Sequence, residues 1–164
     1  MHSVLQSVDL ASGDGLDEIS QAQAAAEGLP DHWKDVAALA RTAMNSDVVK
    51  QAVSTGRYRR EVYVGAPEGS VIIEGFIDLV FETEEGLIFF DYKTDGIETA
   101  EKISRSMERY KLQGGTYALA LEQATGKQVI KVIFLFLNTG SEIEMDNVVD
   151  AMKNVRLAVQ NLVA

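Results

Sequence analysis

The chain has 164 residues, 46% of them hydrophobic, and a formal net charge of -10. This length and composition predict one domain with its own buried core, and the charge should repel nucleic acid unless basic residues cluster or a partner assists. Cysteine is absent, which excludes disulfides, thiolate zinc sites and cysteine-bound iron–sulfur clusters and suits a reducing cytoplasm. Neither a secretory leader nor an apolar run long enough to span a membrane occurs.

The first 56 residues carry signals for four short helices before any strand. The segments are HSVLQSVDL, ISQAQAAAEGL, DHWKDVAALARTAMNS and SDVVKQAVSTG. Pro30 and Asp31 are start signals for the third helix, Ser46 is a favourable N-cap for the fourth, and Gly56 ends it. We therefore predict an N-terminal helical segment over residues 1–56.

Residues 57–164 predict an αβ core. Three runs rich in β-forming residues follow one another and read as successive antiparallel strands: REVYVG, SVIIEGFIDLVFET and GLIFFDYKT. A long helix is predicted from Ile97 to Ala124, then a strand KQVIKVIFLFL whose apolar centre indicates burial on both faces, then a helix from Asp146 to Leu162. The fold class is α/β, a mixed central sheet flanked by helices.

Two predicted strands each carry an aspartate at a position that should be buried. Asp91 and Lys93, two residues apart on one strand, share a face. A two-residue hairpin loop would place Asp78 directly opposite Asp91, whereas a three-residue loop with Gly86 in a left-handed conformation would shift the register by one. Two adjacent buried carboxylates repel each other unless a proton or a metal neutralises them, although an ordinary salt bridge to Lys93 explains the same spacing.

These residues resemble the RecB-type nuclease domain of helicase-nucleases, within the PD-(D/E)xK superfamily. The resemblance extends from His2 to about residue 137 and rests on a histidine in the first helix, an aspartate after G-x-x, the strand DYK, and a Q-x-x-x-Y helix. Ile77 stands where the superfamily name has proline. The resemblance implies a single domain with a restriction-endonuclease-like core, belonging to an AddA/RecB-like or UvrD-like ATP-dependent helicase.

The resemblance also implies the chemistry of the site, which is metal-dependent hydrolysis of phosphodiester bonds. His2, Asp78, Asp91 and the backbone carbonyl of Tyr92 would hold Mg²⁺ or Mn²⁺, with no iron–sulfur cluster. Asp78, Asp91 and Lys93 would be catalytic, with Lys93 orienting the attacking water and stabilising developing negative charge. Glu61 matches a further acidic position of the family, and a merely charged strand end explains it equally well.

The long helix carries a stripe that could contact DNA. Helical periodicity places five residues within one arc: Lys102, Arg105, Arg109, Gln113 and Tyr117. In the family, the glutamine and tyrosine contact the DNA backbone, and a solvated helix face with local ion pairs is the alternative for the basic residues.

The predicted function is therefore a Mg²⁺-dependent deoxyribonuclease, the exonuclease module of a helicase-nuclease acting in double-strand break repair and recombination. Its predicted partners are DNA, the helicase part of the same polypeptide and a second polypeptide of the helicase-nuclease complex. Its predicted location is cytoplasmic. The alternative is a catalytically silent nuclease-fold module that binds DNA or docks partners.

Overall fold

The chain folds into helices followed by a sheet with interleaved helices. The computed structural model describes residues 1–94 and 100–162, and for residues 100–105 the backbone alone. In the N-terminal part the helices are α1 (His2–Ser7), α2 (Leu16–Ala26), α3 (Trp33–Asn45) and α4 (Asp47–Thr55), with a 3₁₀ turn at Pro30–His32 before α3. The cap of α4 is as predicted, because the Ser46 side chain accepts a hydrogen bond from the Val49 amide and Gly56 adopts a φ of 61°.

One mixed five-stranded sheet forms the centre of the domain. Its strands are β1 (Tyr58–Glu68), β2 (Val71–Glu82), β3 (Leu87–Lys93), β4 (Val129–Phe136) and β5 (Ser141–Glu144), in the order β1-β2-β3-β4-β5. The pairings are antiparallel except between β3 and β4, which run parallel and are joined by α5 (Ala100–Thr125). The last helix is α6 (Val148–Leu162). The predicted mixed α/β architecture is confirmed.

Two details extend the sequence prediction. The short strand β5 was not predicted, and it pairs with the end of β4. Helix α5 is present as expected, while its predicted first residues, 97–99, lie outside the described residues. The hairpin between β2 and β3 has the two-residue loop, because Glu82 pairs with Leu87 and the Thr83 amide donates to the Gly86 carbonyl at 2.9 Å.

The sheet has a hydrophobic core on each face. Alternate residues of β3 point to opposite sides, so Leu87 and Phe89 pack with α5 and α6, whereas Phe90 and Tyr92 pack with the N-terminal helices. The strand β4 is buried on both faces at its centre. Within residues 1–94 and 100–162, none of the helices combines the length and apolar character needed to cross a bilayer.

Glycines bring α5 unusually close to its neighbours. A Cβ atom on Gly115 would lie 2.8 Å from the carbonyl of Ala151 in α6, and one on Gly114 would lie 3.0 Å from the Met145 sulfur. Because larger residues would push the helix outward, these two glycines fix the depth at which α5 sits. Gln113 therefore lies on a helix segment with little room to shift.

Candidate active site

The ladder between β1 and β2 is interrupted at one pair, and the candidate site is built there. On β1, Arg60 faces the N-terminal helices while Val62 packs under α5, and on β2 Ile77 and Leu79 lie in the two different cores. Residues two apart share a face in a regular strand, so both strands change face between these positions. The residues at the crossing are Glu61 and Asp78, the one pair missing from an otherwise continuous register.

Glu61 has a backbone conformation that is rare for its residue type. Its φ is 51°, in the left-handed region, where a residue with a side chain is strained by about 1–3 kcal/mol. Burial, followed by the charge of Asp78, raises the pKa of the Glu61 carboxyl. The chain thus holds a strained acid against a buried carboxylate, which is a combination typical of functional sites.

Asp78 is buried and bound from two sides. Its side chain is 7% exposed, one oxygen accepts a 2.6 Å hydrogen bond from the Tyr92 amide, and the other lies 2.7 Å from Nδ1 of His2. This hydrogen bond is also the main reason that the pKa of His2 is raised. Asp78 therefore joins the N-terminal helix to β3.

His2 reaches the sheet because α1 is tied to β1. The guanidinium group of Arg60 donates hydrogen bonds to the carbonyls of Leu5 and Val8, at 2.9 and 2.6 Å, and so satisfies the end of this six-residue helix. The imidazole packs edge-on against the ring of Tyr92, with centroids 5.9 Å apart. Its side chain is 47% exposed, so a water-accessible edge of the site is retained.

Asp91 is the second buried carboxylate, and it lies beside the first. In the observed register, Asp78 and Asp91 follow directly after the last ladder pair, Leu79 with Phe90. Burial, and next the charge of Asp78, raise the pKa of Asp91 to about 6, although the ammonium group of Lys93 hydrogen-bonds to Asp91 and opposes the shift. One lysine is not enough to neutralise the two acids.

The donor set fits a divalent cation. Ligand atoms of His2, Glu61 and Asp78 all lie within 4.8 Å of one another, and Asp91 stands beside Asp78. Oxygen donors with one imidazole suit Mg²⁺ or Mn²⁺, and a cation would offset the repulsion that raises the pKa of Asp91. Among the described residues, no other group of His, Asp and Glu side chains meets this spacing.

Lys93 faces the long helix as well as Asp91. Its ammonium group, with the side chain 11% exposed, donates to Oε1 of Gln113 at 2.8 Å and lies 4.6 Å from the centre of the Tyr110 ring. Nε2 of Gln113 donates in turn to the Tyr117 hydroxyl at 3.1 Å. The Q-x-x-x-Y pair is therefore bonded directly to the lysine of the site.

A cavity of about 400 Å³ opens beside Lys93. Its lining includes Arg109, Tyr110 and Gln113 from α5, together with Tyr92 and Thr94. Arg109 lies 5.1 Å from the Tyr110 ring centre and faces this space. The side chains of Lys102 and Arg105, which complete the predicted basic stripe, lie outside the described side chains.

The structure brings most of the residues singled out from the sequence to one place. Asp78, Asp91, Lys93 and His2 converge there with Glu61, and Gln113, Tyr117 and Arg109 lie along the adjoining helix face. Two supporting residues were missed, namely Arg60 and Gly75. A glycine inside a strand signals a close approach of another group, and here a Cβ on Gly75 would lie 2.2 Å from Cε1 of Tyr117.

The mixed sheet, its two helical layers and the buried acidic centre define an α/β domain of the restriction-endonuclease-like class. The family model described as the PD-(D/E)XK nuclease superfamily matches residues 1–164, and the chain belongs to this superfamily.

Curated relatives are large polypeptides of ATP-dependent helicase/nucleases. The chain is 29% identical to one from Enterococcus faecalis over 178 residues, which cover 93% of this chain and 14% of that protein. It is 44% identical over 84 residues to the protein of the same name from Thermoanaerobacter sp., covering 48% of this chain and 7% of the relative. A Clostridium botulinum relative with that name is 46% identical over 67 residues, 40% of this chain and 5% of its own length. The chain thus spans a small part of these relatives.

Proposed function

We propose that this chain is a metal-dependent DNA nuclease that hydrolyses phosphodiester bonds. The observation that carries the proposal is the convergence of Asp78 and Asp91, both less than 8% exposed, beside the ammonium group of Lys93. Buried acids are costly unless something neutralises them, and the pKa of Asp91 shows that the lysine alone does not do so. Membership of a nuclease superfamily supports the same chemistry.

The proposed ligands of the metal are His2, Asp78, Asp91 and the backbone carbonyl of Tyr92, with Glu61 as a further acid near the first two. When bound, Mg²⁺ or Mn²⁺ would acidify a water molecule and offset negative charge on the phosphate. The protein's own contribution is a rigid arrangement, because the Tyr92 amide holds one oxygen of Asp78 and His2 holds the other.

Lys93 supplies the fixed positive charge of the proposed reaction. Its ammonium group can orient the attacking water and stabilise the negative charge that develops at phosphorus, since few water molecules reach a side chain that is 11% exposed. The adjoining cavity would admit the phosphate backbone. Arg109 lines this cavity, and we propose phosphate contacts for Arg109, Lys102, Arg105, Gln113 and Tyr117.

We further propose that the whole chain is the single exonuclease domain of a cytoplasmic helicase-nuclease that processes DNA in double-strand break repair and recombination. The names of the relatives support a helicase attached to, or associated with, the nuclease, together with a second polypeptide of the complex. At a net charge of -10 the isolated chain should bind DNA weakly, with a steep loss of affinity as salt increases. Tethering to the helicase would raise the local DNA concentration at the site.

The test is a cleavage assay on labelled single-stranded and double-stranded DNA with Mg²⁺ or Mn²⁺. Lys93→Met removes the ammonium group, and cleavage should fall by about a hundredfold or more. Lys127→Met is the matched control, because Lys127 pairs with Glu82 on the surface and lies outside the site. Equal cleavage by the two variants would refute the proposed role of Lys93.

The same assay separates a nuclease from a silent module. If the unaltered chain binds DNA but cleaves neither form with either metal, the domain is a nuclease-fold module for binding or docking. Metal titration adds a second criterion, because the nuclease proposal requires Mn²⁺ binding that disappears in Asp78→Ala.

A further inference from the structure

Gln113 makes two hydrogen bonds whose direction is set by chemistry. An ammonium group only donates, so the amide oxygen of Gln113 must face Lys93, at 2.8 Å. The amide nitrogen then faces the Tyr117 hydroxyl at 3.1 Å, and this hydroxyl acts as the acceptor. The orientation of the Gln113 amide therefore depends on a partner at each end.

Tyr117 is held in turn by β2. Its ring lies so close to the backbone at Gly75 that a Cβ atom there would be 2.2 Å from Cε1 and 2.8 Å from the hydroxyl oxygen. On the other side the ring packs against Phe89, with centroids 6.5 Å apart. The hydrogen-bonded chain Lys93–Gln113–Tyr117 therefore ends on the strand that carries Asp78, three residues before it.

The Lys93 ammonium group needs such support because Asp91 attracts it strongly from one side. Gln113 accepts a hydrogen bond on the other side, and the rings of Tyr110 and Phe134 lie 4.6 and 5.6 Å from Nζ. Without Gln113, the flexible side chain would be free to collapse onto the carboxylates. Its position beside the adjoining cavity would then be lost.

We propose that Gln113 is a positioning residue for Lys93, and that Tyr117, seated on Gly75, sets the orientation of the Gln113 amide. This role rests on the proposed nuclease function and differs from the DNA contact that the family resemblance implies for the pair. A positioning residue affects the chemical step through Lys93, whereas a DNA contact affects affinity.

The first experiment compares Gln113→Met with Gln123→Met in the 164-residue chain. Gln123 lies on the same helix, is exposed and hydrogen-bonds Glu68, so it controls for the loss of an amide. Gln113→Met should lower kcat about tenfold to a hundredfold, the range expected for a lost hydrogen bond to a charged group. KM, and the Kd for DNA measured in Ca²⁺, should stay within about twofold of the values for the Gln123 variant.

Tyr117→Phe grades the effect along the chain. It removes the acceptor for Nε2 while leaving the bond between Lys93 and Gln113, so kcat should fall less than in Gln113→Met. A rise in Kd for DNA with unchanged kcat in the Gln113 variant would overturn the proposal and assign the residue to DNA contact. Thermal unfolding of each variant distinguishes a loss of fold from a loss of positioning.

The second experiment does not depend on cleavage. A lysine ammonium group that is shielded and hydrogen-bonded exchanges its protons slowly enough to be detected by ¹⁵N NMR, and Lys93→Met identifies its signal. The signal should be present in the unaltered chain and in Gln123→Met, and absent in Gln113→Met. Its persistence in Gln113→Met would overturn the proposal, while failure of the unaltered chain to cleave DNA would defeat the nuclease function alone.

Discussion

Asp91→Asn should stabilise the metal-free protein at neutral pH while abolishing its response to metal. The pKa of Asp91 is raised from its ordinary value of 3.8 to about 6, because the carboxyl is buried beside Asp78. Each pKa unit corresponds to about 1.36 kcal/mol, so ionised Asp91 should cost the folded state at most about 3 kcal/mol. Asparagine keeps the shape of the side chain and removes this charge.

The pH dependence follows from proton binding. Between about pH 4 and pH 6 the folded state holds a proton on Asp91 that the unfolded chain has released, so the free energy of unfolding falls as pH rises through this window. The full cost is present at pH 7 and absent below about pH 4. His2 and Glu61 also have raised pKa values, and the difference between the two proteins isolates the Asp91 contribution.

The assay is urea unfolding at pH 5.0 and 7.5, each with EDTA and with Mg²⁺. With EDTA, Asp91→Asn should lose less stability than the unaltered chain as the pH increases. Mg²⁺ at about a hundred times its Kd should stabilise the unaltered chain at pH 7.5 by about 2.7 kcal/mol and leave the variant unchanged. Asp35→Asn is the control, because Asp35 is an exposed partner of His32. Parallel pH dependence in the two aspartate variants would refute the reasoning.

Two further substitutions test other parts of the site. His2→Ala should weaken Mn²⁺ binding about tenfold or more in a calorimetric titration, because it removes the imidazole 2.7 Å from Asp78, whereas His32→Ala at an exposed position should bind normally; equal affinities would remove His2 from the ligand set. Gly75→Ala should destabilise the domain, because its methyl group would overlap the Tyr117 ring, and thermal unfolding should show a larger loss than for Gly65→Ala, whose methyl would meet the exposed end of Tyr63 at 3.0 Å. Combining Gly75→Ala with Tyr117→Ala should then cost less than the two separate losses added together, and strict additivity would contradict the proposed clash.

The strands and the alignment of the aspartates could be predicted because they depend on local periodicity. The two-residue spacing of Asp91 and Lys93 places them on one face, and the apolar runs around them mark buried strands. The choice between hairpin loops could not be made, since a Glu-Glu loop is compatible with either register. The observed pairing of Glu82 with Leu87 resolves it.

Other features had no local signal. The strand β5, Ser141–Glu144, is short, mostly exposed and has one apolar residue, so no alternating pattern marks it. The left-handed conformation of Glu61 was equally hidden, because glycine is the residue that normally announces such a backbone. The bond between Lys93 and Gln113 joins a strand to a helix across 20 residues, and periodicity does not determine which side chains meet after packing.

The link between His2 and Asp78 spans 76 residues of chain, and it has a consequence for how competence is acquired. Neither the helical segment nor the β-hairpin contains a complete set of ligands, so each would be inert as a separate fragment. Long-range contacts of this kind form late and require closure of the whole tertiary structure. A nascent or partly unfolded chain would therefore be unable to cut DNA, and protease nicking between the two halves should silence the domain even where both halves keep their secondary structure.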